Sequence, residues 1–127
     1  MQRWADESEE KLALAVQKIS LEMFSRVILR SPVDTGRFRA NWQVAIGRVP
    51  SGTLQLEDPS GRATISEAQA TALRVKPGDT IALVNNLPYA QRLEDGWSSQ
   101  APAGMVGLTV QDFRQIAREV GVELVRL

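Results

Sequence analysis

The chain has 127 residues and a formal net charge of +0, from 15 Lys+Arg against 15 Asp+Glu, and it contains neither histidine nor cysteine. This length fits one compact domain over residues 1–127 that needs no covalent staple. The missing residue types exclude disulfides, thiol nucleophiles, zinc fingers, haem attachment and every histidine-based triad or metal site.

From Glu7 to Leu29 there is no Pro or Gly, and Leu12, Val16, Ile19, Met23 and Val27 recur at helical spacing. Leu14, Leu21 and Ile28 form a second stripe on another azimuth. Two stripes predict a helix packed on both sides, either within the domain or against a neighbouring subunit. Asp6, Glu7, Glu9 and Glu10 at the start and Arg26 and Arg30 at the end complement the helix dipole. Pro32 stops the helix by pushing Ser31 out of the α region.

Residues 33–36 read as a turn, with Asp34 able to bond the backbone ahead and Gly36 free to take positive φ. Ala40, Trp42, Val44 and Ile46 then alternate with Asn41, Gln43, Ala45 and Gly47, the pattern of a half-buried strand. After the loop at Pro50-Ser51-Gly52, residues 53–57 alternate again, which predicts a β-hairpin. Thr64 and Glu67 have the spacing of a capping box for a short helix to Leu73. Lys76-Pro77-Gly78-Asp79 fits a type II turn. Residues 80–84 are apolar on both faces and predict an inner strand.

Asn85 or Asn86 can cap a short helix with Pro88 in its first turn, Tyr89 facing the core and Gly96 as its stop. The last helix starts between Ala103 and Thr109, with Val106, Val110, Phe113, Ala117, Val120 and Leu124 as its apolar face. The expected fold class is α+β: a small, mainly antiparallel sheet packed with a long N-terminal helix and a C-terminal helix.

The search for chemistry is short. The neighbouring carboxylates Glu57-Asp58 and Glu94-Asp95 diverge from one another and read as solvated surface. No phosphate-binding glycine loop, no nucleophile elbow and no calcium loop occurs. No catalytic, cofactor-binding or metal site is therefore predicted, and no cofactor. No apolar run is long enough to span a bilayer, and the N-terminus lacks the apolar core of a signal peptide. Arg30, Arg37, Arg39 and Arg48 give a local basic excess beside Phe38 and Trp42. The zero net charge argues against specific DNA binding and for solvated arginines or a protein partner. Trp42 reads as core. Trp97, among Gly, Ser and Gln, is either a lid on the domain's own core or an anchor in a subunit interface.

Two segments carry a resemblance. Residues 31–42 read Ser-Pro-Val-Asp-Thr-Gly-Arg-Phe-Arg-Ala-Asn-Trp, and residues 84–106 run from Val-Asn-Asn-Leu-Pro-Tyr-Ala through Leu-Glu-Asp-Gly-Trp-Ser to Gln-Ala-Pro-Ala-Gly-Met-Val. In order and spacing this pair resembles the neck, or tail-completion, proteins of long-tailed bacteriophages. The resemblance implies a non-enzymatic virion structural protein at the head–tail junction, assembled in the host bacterial cytoplasm. It implies a ring of copies of itself that contacts connector, tail-terminator or tail-tube proteins. A tail terminator or head-completion adaptor of the same region is the nearest alternative, and a small DNA-binding accessory protein a more distant one. The motif positions are Asp34, Thr35, Gly36, Trp42, Asn85, Asn86, Pro88, Tyr89, Glu94, Gly96, Pro102 and Gly104. Arg30, Arg37, Arg39, Trp97, Gln100 and Met105 are the interface candidates. Asp34 is expected to fix Arg37, and Glu94 to pair with Arg37 or Arg39 and so tie the two segments together. Residues 61–74 match no motif.

Overall fold

The computed structural model describes residues 2–125; the side chain of Asp6 lies outside the described residues. In chain order the elements are α1 (Gln2–Arg30), α2 (Arg37–Ala40), β1 (Trp42–Ile46), α3 (Arg62–Ala72), β2 (Ile81–Asn85), α4 (Ala90–Glu94), α5 (Val106–Gln111) and α6 (Phe113–Val125). The fold is α+β with 53% helix and 8% strand, so helix packing rather than the sheet builds most of the core. No described helix is long and apolar enough to cross a membrane.

Helix α1 begins at Gln2, so its first turn holds no acid and the expected dipole complement is confined to Arg30 in the last turn. It does pack on two sides, and both partners belong to this chain: α3 lies on one and α6 on the other. Phe24, Val27 and Ile28 join Phe38, Trp42, Ala68, Leu87, Ala101 and Met105 in the main core. Leu14, Ala15 and Ile19 pack under Ile116, Val120 and Leu124 in a second cluster, and Met23 touches both. Leu12, placed in the first stripe, stays 53% exposed.

The chain after Pro32 departs from the expected hairpin. Residues 37–40 make the single turn α2, so the strand starts at Trp42 rather than Ala40. Strand β1 then pairs antiparallel with β2, from Trp42 opposite Asn85 to Ile46 opposite Ile81. Residues 53–57 form no strand. Side-chain amides hold the chain from 50 to 54 instead of a ladder. Asn41, fully buried, donates through Nδ2 to the carbonyls of Arg37 (2.8 Å) and Leu54 (3.1 Å) and accepts the Leu54 N–H at 2.7 Å. Gln43 donates to the Gly52 carbonyl, and Asn86 to those of Pro50 and Gly52. The sheet has two strands, so β2 is not an inner strand, and all five of its residues are half-buried.

Trp42 is core, as its strand pattern requires. Its indole N–H donates to Ser31 Oγ at 2.7 Å, and that hydroxyl donates to the Val27 carbonyl at 2.8 Å. Ser31→Ala leaves a buried indole donor without an acceptor. The expected loss is about 1–3 kcal/mol, read as a lower urea midpoint. An unchanged midpoint rejects this account of Ser31.

Helix α3 begins at Arg62, not at a Thr64 cap. The capping box does not form, because Thr64 turns back. Both its N–H (2.8 Å) and its hydroxyl (2.7 Å) donate to Asp58 Oδ2. Asp58 is therefore buried structure rather than the solvated surface expected of it. Burial opposes its charge, but the donors from Thr64, Gly61 and Ser60 prevail and hold the carboxyl below its ordinary range. The 76–79 turn closes with the Asp79 N–H on the Lys76 carbonyl at 3.0 Å.

The chain's last helix is two helices, broken at Asp112. Its buried face is Met105, Thr109, Ile116, Val120 and Leu124. Val106, Val110 and Phe113, expected inside, are 40%, 59% and 48% exposed. The reason is Thr109, whose hydroxyl donates to the Met105 carbonyl at 2.8 Å and accepts from Arg30 at 3.0 Å. A satisfied hydroxyl thus takes a core position. Next to it Asp112 accepts from Arg30 at 2.7 Å and Arg26 at 3.0 Å, and these bonds hold its carboxyl below the ordinary range.

Candidate interaction surface

The second motif segment is organised by Glu94 at the end of α4. Its carboxylate accepts three backbone N–H groups at the start of α5: Met105 at 3.1 Å, Val106 at 2.9 Å and Gly107 at 3.0 Å. These are donors that a helix start leaves without partners. Glu94 therefore pairs with neither Arg37 nor Arg39; it closes the 95–104 loop upon itself. The closure needs glycine at 104, where φ is +80° and a Cβ would stand 2.4 Å from the Glu94 carbonyl oxygen.

Burial disfavours the Glu94 charge, yet the three donors outweigh it and the pKa lies below its ordinary 4.5. A depressed folded pKa contributes stability above the unfolded value and loses it as pH falls through the folded value. Glu94→Gln is expected to lower stability at neutral pH by about 1–3 kcal/mol, discounted for partial exposure. The difference from wild type should shrink once the pH falls well below 4.5. A gap that is constant with pH rejects the charged clamp.

Gln100 joins the two motif segments. Its amide donates to the Val33 carbonyl at 3.0 Å and accepts the Val33 N–H at 2.9 Å, as a strand partner would. Asn85 adds a bond from Nδ2 to the Phe38 carbonyl at 2.9 Å, and its Oδ1 accepts the Leu87 N–H. Neither Asn85 nor Asn86 caps α4, whose N-cap position is Tyr89, and Pro88 lies outside that helix. Tyr89 is 37% exposed rather than core-facing, with its ring 5.9 Å from that of Phe38. Gly96, at φ +89°, packs its Cα side on the Pro102 carbonyl.

The arginine cluster disperses. Arg39 donates to three backbone carbonyls, Ser31 (3.1 Å), Pro59 (2.8 Å) and Leu29 (2.8 Å). Arg30 is bound by Thr109 and Asp112. Both side chains therefore have partners within the fold, and both stay half-buried. Met105, expected at an interface, is instead 1% exposed in the main core. Asp34 is exposed and makes no hydrogen bond among the described residues; the Arg37 backbone N–H goes to Thr35 Oγ1 at 3.2 Å instead. Arg37 Nε is buried with no hydrogen-bond partner among the described residues. Arg48 is exposed beyond β1.

Trp97 is the most prominent surface feature of the loop. It is 72% exposed, and the Arg92 guanidinium lies 5.1 Å from its ring centroid. Trp97 is thus no lid on the chain's own core. The pair forms an apolar and cationic projection. A groove of about 480 Å³ lies between β1, α3 and the 54–58 stretch, floored by Ala40, Trp42, Val44 and Ala68, with Glu57 and Glu67 on its rim. Arg92, Leu54, Leu56, Glu57 and Glu67 were not predicted. The Leu54/Leu56 alternation is a visible signal in the sequence, where it predicts a hairpin strand rather than a groove wall.

Comparison with family models, curated proteins and solved structures gives no match. Among the described residues no group of three or more carboxylates is placed to hold a metal ion. The surface offers apolar and charged features suited to protein contact.

Proposed function

We propose that this chain is a non-enzymatic structural subunit of the bacteriophage head–tail junction, acting through ring assembly and protein–protein contacts. The reading rests on the resemblance of residues 31–42 and 84–106 to neck and tail-completion proteins. One structural observation supports it. Asn41, Asn85, Gln100 and Glu94 of these segments bond backbone, and Gln100 and Glu94 brace the loop that holds Trp97 at 72% exposure. Asn41, Asn85, Gln100 and Glu94 act as braces, and the aromatic that they leave outside is of the type that dominates interface energetics. A tail terminator or head-completion adaptor remains the nearest neighbour of this reading.

Light scattering on the purified chain, alone and then with the proteins encoded beside it, tests the proposal. A defined ring, or a monomer that joins a ring only with those neighbours, is the expected result. A monomer that ignores every neighbour and binds DNA with steep salt dependence rejects it.

A further inference from the structure

We infer that the Trp97–Arg92 projection of one copy seats in the β1–α3 groove of a second copy, with Arg92 facing Glu57 and Glu67. This deepens the ring reading and rests on it.

Two surfaces of opposite character lie on one chain. The groove has an apolar floor, and Leu54 and Leu56 form one wall. Leu56 is 59% exposed. Glu57 and Glu67 on the rim make no ion pair or hydrogen bond among the described residues. Charge at this opening is therefore acidic and uncompensated.

The projection is the complement. Trp97 is apolar and exposed, and Arg92 beside it has no carboxylate partner among the described residues. It is also held in place: the Trp97 N–H donates to the Arg92 carbonyl at 3.2 Å, and Gln100 ties the loop to Val33. A loop backbone fixed before binding loses less entropy on docking. Burying an indole removes about 150–250 Å² from water. The groove volume of about 480 Å³ accommodates it.

No residue of the projection lines the groove, so one chain does not fill its own. Two different surfaces that fit each other give a head-to-tail contact, and such contacts generate rings when the rotation closes. One indole falls short of the roughly 800 Å² per partner that a stable interface buries. The same loop leads into α5, whose Val106 and Val110 are 40% and 59% exposed and extend the apolar surface along the chain.

The chain lacks cysteine, so paired cysteines report the contact directly. Ser99→Cys combined with Glu67→Cys places one thiol beside the projection and one on the rim. Oxidation of the assembled protein, alone or with the neighbouring proteins, should give a ladder of cross-linked multimers. Ser99→Cys combined with Lys76→Cys should give none. Trp97→Ala should weaken assembly at least tenfold while leaving circular dichroism and thermal midpoint unchanged, since the side chain is mostly in water. Arg92→Glu should also weaken it, and adding Glu67→Arg should restore part of the loss. Rings that form normally with Trp97→Ala, or assembled rings without the ladder, overturn this contact and leave the ring reading standing. Cross-links from Ser99→Cys to a neighbouring protein instead of a second copy overturn the choice of occupant. A wild-type chain that assembles with nothing overturns both.

Discussion

Asn41→Ala is expected to lower stability by about 3 kcal/mol. The side chain is fully buried, and its amide meets three backbone groups: the Arg37 and Leu54 carbonyls and the Leu54 N–H. Alanine leaves all three without a partner, and each buried orphan costs about 1–3 kcal/mol before water relieves it. For a domain of this size the thermal midpoint should fall by roughly 10 °C. Asn41→Asp separates hydrogen bonding from volume. A carboxylate accepts the Leu54 N–H but turns oxygen toward two carbonyls. It should destabilise at least as much at neutral pH and recover in acid, where the protonated form regains a donor. A drop of less than about 1 kcal/mol for Asn41→Ala means that the amide is solvated or replaceable.

The second large effect is expected at Gly36. Its φ is +91°, and a Cβ there would lie 2.4 Å from the Pro59 nitrogen and 2.8 Å from the Asp58 carbonyl carbon. The Gly36 carbonyl accepts both the Ala40 and the Asp58 N–H, so the residue starts α2 and anchors the chain returning to α3. Left-handed backbone alone costs a residue with a side chain about 1–2 kcal/mol. The clash is with backbone, which moves only if the junction opens. Gly36→Ala should therefore lose about 4 kcal/mol or fail to fold at 37 °C. A denaturant midpoint within error of wild type shows that the two segments do not approach so closely. Gly47→Ala is the control: φ is +75°, but nothing lies within 4 Å, so only the backbone penalty applies.

How far the sequence could be read depended on range. Chain breaks and turns were legible, though helix caps were not. Pro32 ends α1, the 76–79 turn closes, and the two stripes of α1 announce two packed sides, which α3 and α6 supply. Pairing was not legible, because alternation at residues 53–57 says that a stretch is extended and not what it lies beside. Asn41 decided that, and an amide standing in for a strand has no periodic signature. Val120 and Leu124 are buried as their spacing predicts, but the first half of that apolar face was misplaced for a related reason. Counting only apolar residues selected Val106, Val110 and Phe113, whereas the buried row contains Thr109 with both hydrogen-bonding roles filled. At the candidate surface Trp97 stood out in sequence as an aromatic in a polar loop. The clamp role of Glu94 was hidden, since its partners are N–H groups that every residue type carries.

Holding residues 53–57 by a single side chain has a consequence for solvent exchange. The Leu54 amide is bonded, whereas those of Thr53, Gln55, Leu56 and Glu57 have no acceptor among the described residues. In deuterated water Leu54 should therefore be a slow proton between fast ones. Its rate reports how often the Asn41 side chain leaves its seat, and hence how often the groove wall formed by Leu54 and Leu56 swings away from β1. A ligand or subunit that fills the groove slows that proton without touching it, which makes one resonance a gauge of occupancy.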